Sequence, residues 1–356
     1  MRGSYKVRWY NMAMDNELKI EQFGEGNMLQ YFKMEIEHIL NQINGLKAYK
    51  ICFSDNKSFN AKVRIDGKMK TIEINIGVIM FIYHLSFLVM MNEKFFPGLG
   101  EGETMNQTNI YDFELPKIEL REDKFKEINF YSGPSDPKRA AVAQVIAMFG
   151  TEFVLFHEMG HILGGHLEYI KDILGIHELL AQGSEQVVFE KTNDDETYQT
   201  IEMDADAIAI HLLLENTLCK RKQIIDTFLE GMEINLSKLI IIAIVISFFL
   251  MSTDSEFQEV SVRYLPRDYR FHLVLSKFLS KIKKEYRMLT NSAEDISDVV
   301  KICLECNEFL AKLYNTRKIC EIPSTELDSY YYNIILNKWK SIRADVQKYA
   351  SIILPE

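Results

Sequence analysis

His157-Glu158-Met159-Gly160-His161, followed at once by Ile162-Leu163-Gly164-Gly165-His166, sets two imidazoles four residues apart with a carboxylate beside the first. On a helix, positions i and i+4 lie on one face, one turn apart. Two imidazoles so placed can share one Zn²⁺, and Glu158 then stands at the side where a zinc-activated water would sit. Zinc lowers the pKa of such a water, and a neighbouring glutamate can take its proton as general base. The flanking sequence supports a helix. Ser135-Asp136-Pro137 reads as a start, a capping side chain before a proline at the first helical position. From Lys138 to His166, Val142, Val145, Ile146, Phe149, Phe153, Val154 and Phe156 recur at helical spacing, and Gly164-Gly165 offers a stop.

A catalytic zinc needs a third protein ligand, and the sequence offers two. His166 follows His161 closely, in a near match to a longer His-rich zinc signature. Glu202 lies in Ile201-Glu202-Met203-Asp204-Ala205-Asp206-Ala207-Ile208-Ala209, which reads as the start of a second helix with acidic residues in its first turn. Glu202 and Asp206, four apart, share a face. A glutamate ligand with an aspartate one turn later makes physical sense, because the aspartate can accept a hydrogen bond from the non-ligating nitrogen of a zinc histidine. Glu202 is preferred on that ground.

His-Glu-x-x-His followed by Glu-x-x-Ala-Asp resembles the glutamate-zincin metallopeptidases, among them the CaaX-processing and HtpX-like membrane peptidases. Within that group the chain looks most like the Lit-like phage-exclusion peptidases, on the strength of residues 156–166 and 201–209, with a smaller contribution from Thr71-Ile72-Glu73-Ile74-Asn75-Ile76 and Phe81-Ile82-Tyr83-His84-Leu85-Ser86. The resemblance implies zinc held by His157, His161 and Glu202, a catalytic Glu158, and Asp206 behind a ligand. It also implies an intracellular bacterial protease that cleaves elongation factor Tu and blocks phage growth.

Such a peptidase needs a donor for the oxyanion of its tetrahedral intermediate. Arg263-Tyr264-Leu265-Pro266-Arg267-Asp268-Tyr269-Arg270-Phe271-His272 supplies candidates in Tyr264, Arg270 and His272. Related membrane peptidases carry His-Pro with an arginine four residues on; Pro266 and Arg270 keep that spacing, but Leu265 replaces the histidine.

Bulk properties fit a cytoplasmic protein of one compact catalytic unit plus extensions. With 47% hydrophobic and 26% charged residues, the 356-residue chain can bury a large core. A net charge of −10 argues against nucleic acid as a partner. Five widely spaced cysteines give no disulfide framework and suit a reducing compartment. Cys303 and Cys306 read as packed thiols on a helix. Leu239–Met251 is too short to span a bilayer and reads as a buried helix. Ile74–Met91 reads as a strand entering a helix, and no signal peptide is seen at Met1-Arg2-Gly3-Ser4. Membrane association is therefore not expected.

The expected fold is α+β and predominantly helical. A zincin-like core over 137–270 follows an N-terminal region, 1–136, with a small hairpin, and precedes a helical extension, 271–356. A helix is expected over 27–44. The hairpin pairs Ala61–Ile65 with Lys70–Ile76 around an Asp66-Gly67 turn. The second of these strands is a candidate edge for binding substrate backbone. A long polar segment from Pro97 to Pro137 and a solvated turn at Thr192–Glu196 follow, and helices are expected over 271–289, 292–315 and 324–351. Rival readings are a membrane-embedded peptidase, a protease of a repressor or antitoxin, and a binding protein whose zinc is structural, with His166 as fourth ligand.

Overall fold

The computed structural model describes residues 49–54, 56, 59–66, 69–100, 134–174, 178–181, 195–232, 234–252, 267–285, 293–314 and 325–352. The fold is α+β and mostly helical. Its sheet has four strands in the order β1-β3-β2-β4: β1 (Tyr49–Ser54), β2 (Ala61–Asp66), β3 (Met69–Asn75) and β4 (Glu178–Ala181). β2 and β3 form the expected hairpin. Asp66 pairs with Met69, so the strand absorbs Asp66, and the connection narrows to residues 67 and 68, outside the described set. Ile76 leaves the strand and opens helix α1 (Ile76–Met91).

One expectation about the sheet is overturned. β3 is not an edge: it pairs with β1 in parallel on one side and with β2 antiparallel on the other. Its backbone groups are committed to neighbouring strands and cannot take up a substrate strand. The cause is Tyr49-Lys50-Ile51-Cys52-Phe53-Ser54, a short alternating segment that occupies the edge position.

Helix α2 (Pro137–Leu163) runs through the centre of the molecule. Asp136 caps it, its Oδ1 accepting from the backbone N–H of Lys138 at 2.9 Å and of Arg139 at 3.1 Å, with Pro137 in the first turn. The sheet, α1, α4 (Asp195–Leu214) and α6 (Leu236–Ser252) pack around it. Among the described residues α2 is the one helix long and apolar enough to cross a membrane, and 83% of its apolar window is buried inside the fold. Its apolarity on all sides is what a helix surrounded by protein requires. α1 and α6 have 16 and 17 residues, short of the ~20 a span needs. Leu239 to Met251 is buried throughout, as expected.

At the end of α2 the chain turns through Gly164 and Gly165 into α3 (His166–Leu174). Gly165 has φ of 72°, and a Cβ there would meet the Tyr349 backbone at 2.4 Å. Only glycine suits both demands. Ser351 N–H donates to the carbonyl of Leu163 at 2.8 Å, so the C-terminal end of the described chain ties down the end of α2.

α4 begins earlier than expected. Asp195 and Glu196 already belong to its first turn, so the predicted turn at 192–196 is cut short. Glu202 and Asp206 consequently lie in mid-helix, not in the first turn, and both are buried. A six-residue π-helical segment (Glu215–Lys220) and α5 (Lys222–Phe228) follow α4. The three expected C-terminal helices are α7 (Arg267–Glu285), α8 (Ala293–Leu313) and α9 (Thr325–Val346). Cys303 and Cys306 are buried thiols on α8. One continuous core joins residues from Ala61 to Val346. The predicted helix over 27–44 and residues 101–133 of the polar segment lie outside the described residues, while Pro97–Gly100 forms turns.

Arg139, 1% exposed, links α2 to the end of α1. Its Nη1 donates to the carbonyls of Met90 at 2.9 Å and Phe95 at 3.1 Å, and its Nη2 to that of Phe96 at 3.3 Å. Arg139→Leu removes this donor from the buried Met90 and Phe95 carbonyls, while that of Phe96 keeps the Leu99 N–H at 3.0 Å. It should lower unfolding free energy by about 2–4 kcal/mol in equilibrium denaturation, and a loss below about 0.5 kcal/mol would contradict this role.

Candidate metal centre

Three helices meet at the site. α2 supplies His157, Glu158 and His161, α4 supplies Glu202 and Asp206, and α7 supplies Arg270. The approach of α2 to α4 depends on small residues. A Cβ at Gly160 would lie 2.9 Å from the carbonyl oxygen of Ala205 and 3.0 Å from its Cα. Gly160 in the first motif and Ala205 in the second are thus the contact point of the two helices. This close approach carries the Glu202 carboxylate to the two imidazoles.

The geometry of that group is compact. His157 Nε2 lies 3.1 Å from His161 Nε2, 3.4 Å from Glu202 Oε2, and Glu202 Oε1 lies 3.4 Å from His161 Nε2. His157, His161 and Glu202 are the group among the described residues that could hold a metal ion, and all three are buried. Tetrahedral ligands about 2.0–2.1 Å from one ion stand about 3.3–3.4 Å apart, which matches this spacing. Glu202 Oε2 has no close hydrogen bond, its charged neighbours being His157 Nε2 at 3.4 Å and Arg270 Nη1 at 3.3 Å. The donor set fits a divalent metal.

The outer nitrogen of each imidazole is also held. His157 Nδ1 lies 2.9 Å from Asp206 Oδ1. Asp206 is in turn gripped by Arg270, whose Nε donates to Oδ2 at 2.5 Å and Nη2 to Oδ1 at 2.9 Å. Arg270 Nη1 lies 3.3 Å from Glu202 Oε2. On the other side, His161 Nδ1 faces His166 Nδ1 at 3.2 Å, and His166 Nε2 faces Asp204 Oδ2 at 3.1 Å.

These contacts polarise the group. Burial alone would lower the pKa of His157, but Asp206 and Glu202 outweigh it and push the imidazole up to about 10. Burial acts unopposed enough on His161 to hold it well below the usual histidine range. For Glu202, burial favours the neutral acid, yet His161, His157 and Arg270 bring it down to about 2. Asp206 is likewise lowered against its burial, first by Arg270. Glu158 differs: burial dominates and pushes its carboxyl up to about 8. Both of its oxygens are buried without a hydrogen-bond partner.

The structure therefore gathers His157, Glu158, His161, Glu202, Asp206 and Arg270. His166 stands behind His161, turned toward Asp204, and not among the converging ligand atoms. His272 is half-buried on α7, two residues past Arg270, and so points to the other side of that helix. Tyr264 lies outside the described residues. Sequence reasoning passed over Gly160, Ala205 and Asp204. The one available signal was their position inside the two motifs.

Two outcomes are expected here. Gly160→Ala should force α2 and α4 apart, lowering stability by about 1–3 kcal/mol and weakening metal binding, measured by denaturation and chelator competition. Unchanged metal affinity would refute the close-contact argument. Glu158→Gln should stabilise the metal-free protein. A carboxyl raised from 4.5 to about 8 must take up a proton on folding above its unfolded pKa. The penalty grows as pH rises from the unfolded to the folded pKa, so at pH 8 the variant should be more stable by about 1–3 kcal/mol, and near pH 4 the gap should close. A variant less stable at pH 8 would contradict this.

Residues 112–285 match the family model described as Peptidase U49. The matched span is just under half of the chain and includes all six gathered residues. No curated protein and no solved structure matches. The family match supports a peptidase.

Proposed function

We propose that this chain is a zinc-dependent endopeptidase acting on a protein substrate in the bacterial cytoplasm. The observation that carries the reading is the convergence of His157 Nε2, His161 Nε2 and a Glu202 oxygen beside a buried, unpartnered Glu158. The peptidase family match supports the same class. His157, His161 and Glu202 would hold the metal. When bound, zinc would supply Lewis-acid chemistry, polarising a scissile carbonyl and acidifying a water.

The chain's own groups have distinct tasks in this proposal. Glu158, with no hydrogen bond to anchor it, takes a proton from the attacking water as the ionised carboxylate and returns it to the leaving amine. Asp206 accepts the Nδ1 proton of His157 and leaves Nε2 free to coordinate. Arg270, forked across Asp206 with Nη1 beside Glu202, fixes both carboxylates. It acts as a positioning residue more than as an oxyanion donor, which leaves that task to a group elsewhere, Tyr264 among them.

The likeness of 156–166 and 201–209 to Lit-like peptidases supports elongation factor Tu as the substrate and phage exclusion as the role.

Two expected outcomes test this. Glu158→Gln should lose about 10²–10⁴-fold in turnover while its zinc affinity stays within a few-fold. Retained turnover would end the general-base assignment. Treating bacterial lysate with wild type or Glu158→Gln and mapping new peptide termini by mass spectrometry should show a single wild-type-specific cut, in elongation factor Tu. A cut elsewhere would replace the substrate, and no cut with zinc bound would defeat the peptidase reading.

A further inference from the structure

His166 and Asp204 are buried polar residues that the proposed hydrolysis does not use. His166 is 0% exposed and Asp204 1%. Between them they complete a chain of contacts ending on a candidate metal ligand: Asp204 Oδ2 to His166 Nε2 at 3.1 Å, then His166 Nδ1 to His161 Nδ1 at 3.2 Å. The two imidazole rings stand nearly edge to face, with centroids 5.3 Å apart and planes at 73°.

Two facing imidazole nitrogens form a hydrogen bond only when one carries a proton and the other does not. Asp204 Oδ2, 3.1 Å from His166 Nε2, is placed as an acceptor and so selects the His166 tautomer with the proton on Nε2. His166 Nδ1 is then bare and accepts from Nδ1–H of His161. That in turn leaves His161 Nε2 bare, pointing at His157 and Glu202. The opposite arrangement puts a lone pair of His166 against the Asp204 carboxylate and a proton on His161 where coordination requires none.

The backbone is shaped for this contact. A Cβ at Gly164 would lie 2.5 Å from His166 Nε2 and 2.9 Å from its Cε1. The ring of His166 folds back over Gly164, and the adjoining Gly165, with positive φ, makes the reversal. The pair of glycines between the motif and His166 is therefore the turn that returns this histidine to His161.

We propose that Asp204, acting through His166, sets the tautomer and direction of His161 as a metal ligand. The arrangement parallels that of Asp206 on His157, with one imidazole interposed. Both are positioning residues, and neither touches the metal or the substrate. The proposal rests on the metal-centre reading above. It also reassigns His166, which sequence alone left as a possible third or fourth ligand.

The test uses the full chain, labelled with ¹⁵N-histidine and stripped of metal, and long-range ¹H–¹⁵N spectra to locate each ring proton. Wild type should carry the proton of His161 on Nδ1 and that of His166 on Nε2. Asp204→Asn replaces an acceptor-only group by an amide that also donates, so the selection is lost. The His161 proton should no longer be confined to Nδ1, and Zn²⁺ affinity in chelator competition should fall about 10–100-fold. Gly164→Ala, which displaces the His166 ring, should give the same pair of changes. Should Asp204→Asn fail to fold, the wild-type spectrum decides alone. A wild-type His161 protonated on Nε2 would overturn the proposal, as would Asp204→Asn with unaltered tautomer and unaltered Zn²⁺ affinity. Wild type that shows the predicted tautomers but binds no Zn²⁺ would uphold the relay and defeat the metal-centre reading instead.

Discussion

Three carboxyl groups, two imidazoles and a guanidinium are withdrawn from water together where α2, α4 and α7 meet, and the molecule must balance them locally. Isolated, each charge would be prohibitively costly in such a place. Here Arg270 neutralises Asp206 and faces Glu202, and Asp206 holds a proton on His157. Glu158 alone has no partner and is driven toward its neutral form. Two carboxylates, Glu202 and Asp206, are thus held ionised, and the third, Glu158, is not; in the proposed function the first two bind and orient and the third moves a proton. An ion pair network of this kind is weak evidence for stability. Its arrangement is better explained by what it presents to a metal.

The surrounding fold serves that arrangement. A helix that is to hold two imidazoles in one geometry must be rigid, and α2 gains rigidity by being enclosed by the sheet, α1, α4 and α6. Its start is capped by Asp136 and anchored through Arg139. Its end is tied by Ser351. Between these fixed ends, the Gly160–Ala205 contact sets how near α4 can come. A side chain at Gly160 would press on the Ala205 backbone and push α4, with Glu202, away from the imidazoles.

Much of this was legible in the sequence because the relevant signals are local. The cap at Asp136, the helical spacing from Val142 to Phe156, the glycine stop, the hairpin at 61–75 and the buried helix at 239–251 depend on neighbours within a few residues. The i, i+4 relations of His157 with His161 and of Glu202 with Asp206 place each pair on one helix face. What escaped depends on distant partners. β1 was overlooked because a six-residue strand carries little periodic signal, and with it went the true position of β3. α4 starts at Asp195, and polar residues there masked a helix whose stability comes from packing. Asp204 sits between two acidic residues with assigned roles, and its pairing with His166 exists only once α3 folds back over Gly164. Arg270 was one of three oxyanion-donor candidates, with Tyr264 and His272; only the packing of α7 on α4 shows that its fork is engaged by carboxylates.

The claim on which the rest stands is that His157, His161 and Glu202 bind one divalent ion. Crystals grown with zinc, with anomalous diffraction collected at the zinc edge, test it directly. The account predicts a single peak about 2.0–2.1 Å from His157 Nε2, His161 Nε2 and a Glu202 oxygen, with His166 outside the coordination sphere. No peak at that position, or one coordinated by His166 in place of Glu202, would contradict it.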